Sequence, residues 1–219
     1  MAATIQTIQT PKRARALDTS GNNNHGQIYS GRGLEFDGVS DFLDCGATAK
    51  SPYLSITENF TVACWVKVDT LGDSCIFAVE KVTADRVGLF IGADGEIAFT
   101  SWDGAYTHAS GGAEGSKAIE ISTWYRVVCT MTPTSTKKLY INGILQTGTA
   151  QAFTSSLGGS NSALRIGGLN VLLVSLFTGK LSDFQAWDAT WTQADATYDY
   201  NNPEQLALNR GGTSLTESN

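Results

Sequence analysis

Apolar and polar residues alternate with a period of two along much of this chain, the pattern of a β-strand with one buried face. The run Phe60–Asp69 (FTVACWVKVD) alternates without a break, and its apolar side is Phe60, Val62, Cys64, Val66 and Val68. Similar runs predict the strands Gly33–Asp37, Phe42–Cys45, Cys75–Glu80, Arg86–Gly92, Glu96–Trp102, Trp124–Thr132, Leu164–Gly168 and Leu181–Trp187. Short strands in this number are typical of two packed antiparallel sheets.

Turn and capping residues separate these runs. Asn142-Gly143 follows the polar tip of the run 124–146 and favours a tight hairpin, because both residues tolerate positive φ. Thr192 and Asp195 have the spacing of a capping box, which predicts a short helix over Gln193–Tyr200 that Pro203 ends. The predicted fold is therefore all-β, with one short C-terminal helix.

Composition supports a single large β domain. The chain has 219 residues, of which 42% are hydrophobic and only 16% charged, so Ser, Thr, Asn, Gln and Gly must form most of the surface. The net charge is −6, and an acidic main surface repels the phosphates of a nucleic acid. The basic cluster Lys12, Arg13 and Arg15 is the exception: it is either a contact for an acidic protein or nucleic acid, or a solvated tail. We find no apolar run long enough for an export signal or a membrane span.

Several segments, in order, resemble the laminin-G-like family of concanavalin A-type jelly rolls, which includes the pentraxins. These segments are DTSGNNNHG, GLEFDGVSDFLDCG, LSITENFTVACWVKV, WYRVVCTMT, KKLYINGILQ, LRIGG and GKLSDFQAWDA. The resemblance covers about Asp18 to Pro203 and implies a two-sheet antiparallel jelly-roll sandwich. It also implies a role in binding, since the fold usually displays loops for recognition.

Two departures from related proteins affect the expected chemistry. Pentraxins bind calcium through an acidic run after the strand that LRIGG resembles, but Gly168–Leu172 (GLNVL) has no carboxylate there. Related glycosidases carry an E-x-D-x-E strand, whose paired carboxylates act as acid and nucleophile, and this chain has no such run. We therefore expect no catalytic residues.

The polar loop Asp18–Gly26 is the strongest metal candidate. Asp18, Asn22 and Asn24 can supply side-chain oxygens, with Asp183 joining from the closing strand, and Ca²⁺ prefers such oxygen ligands. The structural alternative is an Asn-rich turn that satisfies its own backbone hydrogen bonds.

The four cysteines lack the paired spacing of a zinc site. Cys64 and Cys129 fall inside strand-like runs, where buried free thiols are usual. The resemblance to pentraxins implies that these two are neighbours and candidates for a disulfide, with the redox state left open.

An aromatic and polar cluster is the first candidate for glycan contact: Trp102, Asp103, Tyr106 and His108. An exposed ring can stack on a sugar while polar groups bind its hydroxyls; the alternative is an aromatic cap on the core. His108 is expected in a loop or at a strand end. Trp65 and Trp124 are expected in the core.

The predicted organisation is an N-terminal arm (1–17), a laminin-G-like domain (18–203) and a tail (204–219). We expect a non-catalytic recognition or structural module displayed on a virion surface, as a bacteriophage decoration or fibre protein. Its expected partners are other virion or shell subunits, host-surface glycans and further copies of the chain in a homo-oligomer. Attachment would use the arm residues Ile5, Ile8, Lys12, Arg13 and Arg15. The alternatives are a secreted or cell-surface lectin, which is extracellular, and an enzyme with an unfamiliar carboxylate pair.

Overall fold

The computed structural model describes ten stretches of the chain: residues 15–16, 26–27, 33–47, 59–81, 86–102, 106–111, 119–132, 136–146, 162–169 and 175–202. They belong to two compact units, residues 1–32 and 33–219. In the first unit, β1 (Arg15–Ala16) pairs antiparallel with β2 (Gly26–Gln27). This short pairing spans the predicted boundary between residues 17 and 18.

The second unit is built from two antiparallel sheets. The first sheet has the strand order β12-β11-β10-β5-β14-β3, and the second has the order β4-β13-β6-β7-β8-β9. The strands are β3 (Gly33–Asp37), β4 (Leu43–Ala47), β5 (Phe60–Val68), β6 (Ser74–Lys81), β7 (Arg86–Ile91), β8 (Ile97–Trp102), β9 (Tyr106–Gly111), β10 (Trp124–Thr132), β11 (Thr136–Ile141), β12 (Ile144–Leu145), β13 (Ser162–Ile166) and β14 (Thr178–Trp187). The predicted all-β sandwich is confirmed.

The core lies between the inner faces of the two sheets. The alternating apolar side of β5 is buried there, from Phe60 to Val68, and faces residues of the second sheet such as Phe77 and Phe99. The rings of Phe60 and Phe99 meet edge to face at 6.2 Å. The period-two pattern of β5 and β10 therefore identified the inner face correctly.

The helix α1 (Gln193–Asn201) begins as predicted at a capping box, in which Thr192 and Asp195 satisfy each other's backbone N–H groups. It covers part of the outer face of the first sheet, where a second buried apolar cluster forms from Ala63, Val128, Tyr140, Trp187, Trp191 and Ala196. We call this region the covered half of that face. Within the described residues, no helix is both long and apolar enough to cross a membrane.

The hairpin between β11 and β12 also forms where predicted. Asn142 and Gly143 both have positive φ, at 50° and 76°. A Cβ on Gly143 would lie 3.0 Å from the Cα of Thr197 in α1, so the turn is pressed against the helix. Glycine is required here both for its backbone conformation and for its lack of a side chain.

Three expectations were wrong. His108 lies inside a strand, β9, that the polar sequence YTHASG did not predict because it has no apolar face. Trp65 and Trp124 are not core residues: by register they lie on the outer face of the first sheet, and 40% of Trp124 is exposed. Alternation had already placed Trp65 opposite the core side, and only the preference of tryptophan for burial argued otherwise.

Candidate functional site

The hairpin β8–β9 brings three of the four predicted glycan-contact residues together. Trp102 lies directly opposite Tyr106, and Thr100 lies directly opposite His108. Directly paired and alternate residues share a face of a sheet, so positions 102, 106 and 108 lie on the same face. Phe99 belongs to the core, which places the three on the outer face of the second sheet. Asp103 lies outside the described residues.

Register extends this arrangement across the sheet. Arg86 in β7 pairs with Trp102, and Glu80 in β6 pairs with Arg86. We call Glu80, Arg86, Trp102 and Tyr106 the Trp102 row. Glu80 is only 4% exposed and stands directly across from the cationic Arg86, a pairing of opposite charges that stabilises neighbouring strands. Sequence reasoning found β6, β7 and β8 but neither β9 nor this row, because residues on different strands become neighbours only through register.

Small residues occupy the adjoining positions of the same face. Gly88 lies between Ala78 and Thr100 in register. A Cβ on Gly88 would stand 2.5 Å from the carbonyl oxygen of Phe77 and 2.9 Å from the ring of Phe90, closer than real Cβ atoms approach. Glycine is therefore needed here for the close packing of Phe90 over the sheet.

A buried ion pair fixes α1 to the first sheet. The Arg126 Nε donates to Asp199 Oδ2 at 2.6 Å and its Nη2 donates to Oδ1 at 2.9 Å, and neither side chain is exposed. Burial acts to lower the pKa of Arg126, but the carboxylates of Asp199 and Asp183 outweigh it and leave that pKa above its usual value. This bidentate pair was not predicted; a lone arginine among the apolar residues of WYRVVC was its only sequence signal.

Asp183, the predicted metal ligand on the closing strand, contacts the same arginine. Its Oδ2 lies 3.2 Å from Arg126 Nη1, its backbone oxygen accepts a hydrogen bond from that nitrogen, and its carboxylate accepts another from Gln185. Asp183 has φ of 50° at an irregularity in the pairing of β14 with β5. Its partners in the prediction, Asp18, Asn22 and Asn24, lie outside the described residues. Among the described residues, no cluster of three or more metal-ligating side chains occurs.

Cys64 and Cys129 lie on neighbouring strands, β5 and β10, at diagonal positions of the inner face, since Cys64 pairs with Val127 and Cys129 with Val62. Both thiols are free and buried. Burial raises the pKa of Cys64 to about 12 and that of Cys129 well above its usual value, so neither thiol has nucleophilic character.

The predicted arm is only partly within the described residues. Arg15 lies in β1, whereas Ile5, Ile8, Lys12 and Arg13 lie outside them. The attachment role of the arm therefore stays a prediction.

Residues 43–197 match the family model described as the concanavalin A-like lectin/glucanases superfamily. The chain belongs to this superfamily. The fold and the family resemblance proposed from sequence are thereby confirmed. No curated protein sequence matches the chain.

Solved structures share the architecture at low sequence identity. Domain 4 of AbnA, a GH43 extracellular arabinanase from Geobacillus stearothermophilus in complex with arabinotriose, is 19% identical with a TM-score of 0.62, over 84% of this chain and 79% of that one. A SAP-like pentraxin from Limulus polyphemus is 15% identical with a TM-score of 0.56, over 77% of this chain and 81% of that one.

Trypanosoma rangeli sialidase, solved with a difluoro-KDN ligand, is 16% identical with a TM-score of 0.63 over 83% of this chain. The chain spans only 28% of the length of that sialidase. The superfamily includes both lectins and glucanases, so membership establishes the fold and leaves binding and catalysis to be argued from the residues.

Proposed function

We propose that this chain is a carbohydrate-recognition domain that binds glycans without cleaving them. The observation that carries the proposal is the register of β8 and β9, which sets Trp102 directly opposite Tyr106 on the outer face of the second sheet, with His108 on the same face. Two aromatic residues and a histidine on one sheet face combine the ring surfaces and hydrogen-bonding groups that sugars require.

The chemistry of recognition follows from these residue types. The C–H groups of a pyranose or furanose ring present an apolar face that stacks on an indole or phenol, and the hydroxyls then point to the rim. His108 in β9 and Arg86 in β7 belong to the same face, one on each side of β8, and both residue types offer hydrogen-bond donors. Membership in a superfamily of lectins and glucanases supports this proposal, as does the similarity to an arabinanase domain solved with arabinotriose.

The non-catalytic part of the proposal rests on the sequence. Hydrolysis in most glycosidases needs two carboxylates facing each other across the bond, and the E-x-D-x-E strand that supplies them in related enzymes has no counterpart in this chain. We expect no release of reducing sugar from a panel of polysaccharides. Cleavage that disappears on replacing a single Asp or Glu would refute this part of the proposal.

Binding is tested with a glycan array followed by calorimetry on the neutral glycans that bind, arabino-oligosaccharides included. We expect Trp102→Ala and Tyr106→Ala each to weaken binding by about tenfold, equivalent to about 1.4 kcal/mol for one lost stacking contact. Ile144→Ala, which removes an exposed apolar side chain from β12 of the other sheet, is the control and should leave binding of these glycans unchanged. Unaltered affinity in the Trp102 and Tyr106 variants would remove these residues from the site.

Calcium binding by Asp18, Asn22, Asn24 and Asp183 stays a proposal. A cation that uses Asp183 must compete with the Arg126 guanidinium for its carboxylate. Calorimetry with CaCl₂ on the full chain tests the proposal: heat of binding that Asp18→Asn abolishes supports it, and no heat together with an unchanged Tm contradicts it.

Display on a virion surface through residues 1–17 is also a proposal, with the basic cluster Lys12, Arg13 and Arg15 as its support. The alternative is a secreted or cell-surface lectin. Neighbouring capsid and tail genes would support the virion, and an export signal in the natural reading frame would support the secreted lectin.

A further inference from the structure

A second row of side chains crosses the first sheet, on the part of its outer face that the covered half does not include. Trp124 pairs in register with Lys67, Lys67 with Lys180, and Lys180 with Glu35. These four residues lie in a line across strands β10, β5, β14 and β3, and we call them the Trp124 row. It is distinct from the Trp102 row, which belongs to the other sheet.

Trp124 presents a ring to solvent. Within the described part of the chain, it is the one aromatic residue among the large apolar side chains that are exposed. Its Cη2 atom would lie 4.0 Å from a Cβ on Gly33 in β3, so the indole extends along the sheet face toward that strand. A ring held along a sheet in this way offers a flat surface to a ligand.

The two lysines of the row differ in their partners. Lys180 Nζ lies 2.9 Å from Glu35 Oε1 and 3.4 Å from Asp69 Oδ2, so two carboxylates neutralise its positive charge. The side chain of Lys67 makes no ion pair or hydrogen bond within the residues that the structure describes. Lys67 also stands directly across from Lys180, where like charges repel. Among the described residues, a lysine side chain without an ion-pair partner therefore occupies the position directly opposite the exposed Trp124.

We infer that the Trp124 row binds a hexuronic acid residue of an acidic polysaccharide. The pyranose ring stacks on the indole of Trp124, and its carboxylate pairs with the ammonium of Lys67. In the preferred chairs of galacturonate, glucuronate, mannuronate and guluronate, the carboxylate is equatorial and lies near the plane of the ring. Side chains directly opposite each other on antiparallel strands start about 5 Å apart, so a ring lying flat on Trp124 places that carboxylate beside Lys67.

A sugar fits this surface better than an apolar protein partner does. Three of the four residues in the row are charged, and the single ring contributes little of the apolar area at the centre of a stable protein interface. An anionic ligand also supplies a counter-charge for Lys67, whose side chain has no ion-pair partner among the described residues. The inference does not depend on the Trp102 row, because the two surfaces belong to different sheets.

The test compares uronic acid oligosaccharides with their methyl esters, which keep the ring and the hydroxyls but lose the charge. Trimers of galacturonate, glucuronate, mannuronate and guluronate are titrated into the full chain at low salt, with calorimetry and tryptophan fluorescence as readouts. We expect at least one acid trimer to bind, its methyl ester to bind about fivefold more weakly, and high salt to remove the difference.

The variants separate the two contacts. Trp124→Ala should weaken binding of the acid by about tenfold, and Lys67→Gln by about fivefold with the discrimination against the ester lost. Lys138→Gln removes an exposed lysine of β11 in the same sheet and should change nothing.

Three results would overturn the inference: no acid trimer binds, the methyl esters bind as well as the acids, or Trp124→Ala binds as the parent does. Sedimentation velocity tests the remaining candidate for this surface, a second copy of the chain. A dimer of the parent chain that becomes a monomer on Trp124→Ala would assign the surface to a second copy of the chain instead. Unchanged Tm in the Lys67→Gln variant shows that a loss of binding is not a loss of fold.

Discussion

The outer face of the first sheet has two parts: one is buried under α1, and the other is exposed to solvent. On the covered half, Ala63 and Val128 are buried in one cluster with Trp191, just before α1, and Ala196 of α1. On the open part, the Trp124 row follows the same strands and the same alternation, yet Trp124 remains 40% exposed. The comparison shows that a period-two pattern separates the inner face from the outer face, whereas a distant segment decides which portion of the outer face is buried.

The energetic roles of the two parts should differ accordingly. The covered half contains a buried ion pair, a glycine pressed against the helix and a capping box, and each stabilises the fold. The open part contains charges and a ring that water can reach, and their loss should change binding and leave stability nearly unaltered.

The largest expected effect comes from breaking the ion pair beneath the helix. Asp199→Ala leaves the Arg126 guanidinium buried without its bidentate partner, and we expect a loss of about 3–5 kcal/mol in the free energy of unfolding. Urea denaturation measures this loss. Asp188→Ala removes an exposed aspartate close to the start of α1 and should cost less than about 0.5 kcal/mol. Equal losses in the two variants would mean that the pair does not hold the helix.

The next effect concerns the turn under the helix. Gly143→Ala places a Cβ against Thr197 in a residue with φ of 76°, and we expect a loss of about 2 kcal/mol. Gly72→Ala is the matched control, because a Cβ there would meet nothing within 4 Å. A Gly143 variant as stable as the control would show that the turn and helix can separate at no cost.

A smaller loss is expected at the start of the helix. Thr192→Ala removes the side chain that accepts the N–H of Asp195, which should cost about 1 kcal/mol. Thr192→Ser keeps the hydroxyl and should recover most of the stability. If alanine and serine behave alike, the hydroxyl is not what caps α1.

The turn that follows β3, the strand that contributes Glu35 to the Trp124 row, offers a test by pH. Asp37 accepts backbone N–H groups from Ser40, Val39 and Asp41, and these hydrogen bonds lower its pKa to about 2. Its lowered pKa stabilises the fold fully above the ordinary aspartate value of 3.8, and this contribution is lost as the pH falls through about 2. Carboxyl NMR titration should report the lowered pKa, and a value near 3.8 would show that the turn is not formed in solution.

The smallest expected effect on stability is in the open part of the outer face, which contains the Trp124 row. Lys67→Gln removes one of two like charges that face each other across β5 and β14, so stability should stay within about 0.5 kcal/mol of the parent or rise slightly. Thermal and urea denaturation measure it. A loss above about 1 kcal/mol would mean that Lys67 has a structural partner, and the open part would then resemble the covered half.

Much of the candidate site was accessible from sequence only as separate pieces. Trp102, Tyr106 and His108 are close in the chain, so a local cluster was visible before the hairpin was known. Glu80 and Arg86 complete the row through pairings with other strands, and β9 itself has no apolar side to reveal it. Trp124 was assigned to the core from residue type, although its position in the alternation of β10 already placed it outside.

The sequence by itself determined the local features of this protein: the alternation that makes strands, the Asn142-Gly143 turn, the capping box at Thr192 and the order of segments that identifies the superfamily. Each depends on contacts within a few residues, where the chain has little freedom. Only the tertiary structure decided the strand order, the burial of Arg126 against Asp199 and the open position of Trp124 beside Lys67. These depend on which distant segments pack together, and the free energy of that packing belongs to the whole domain.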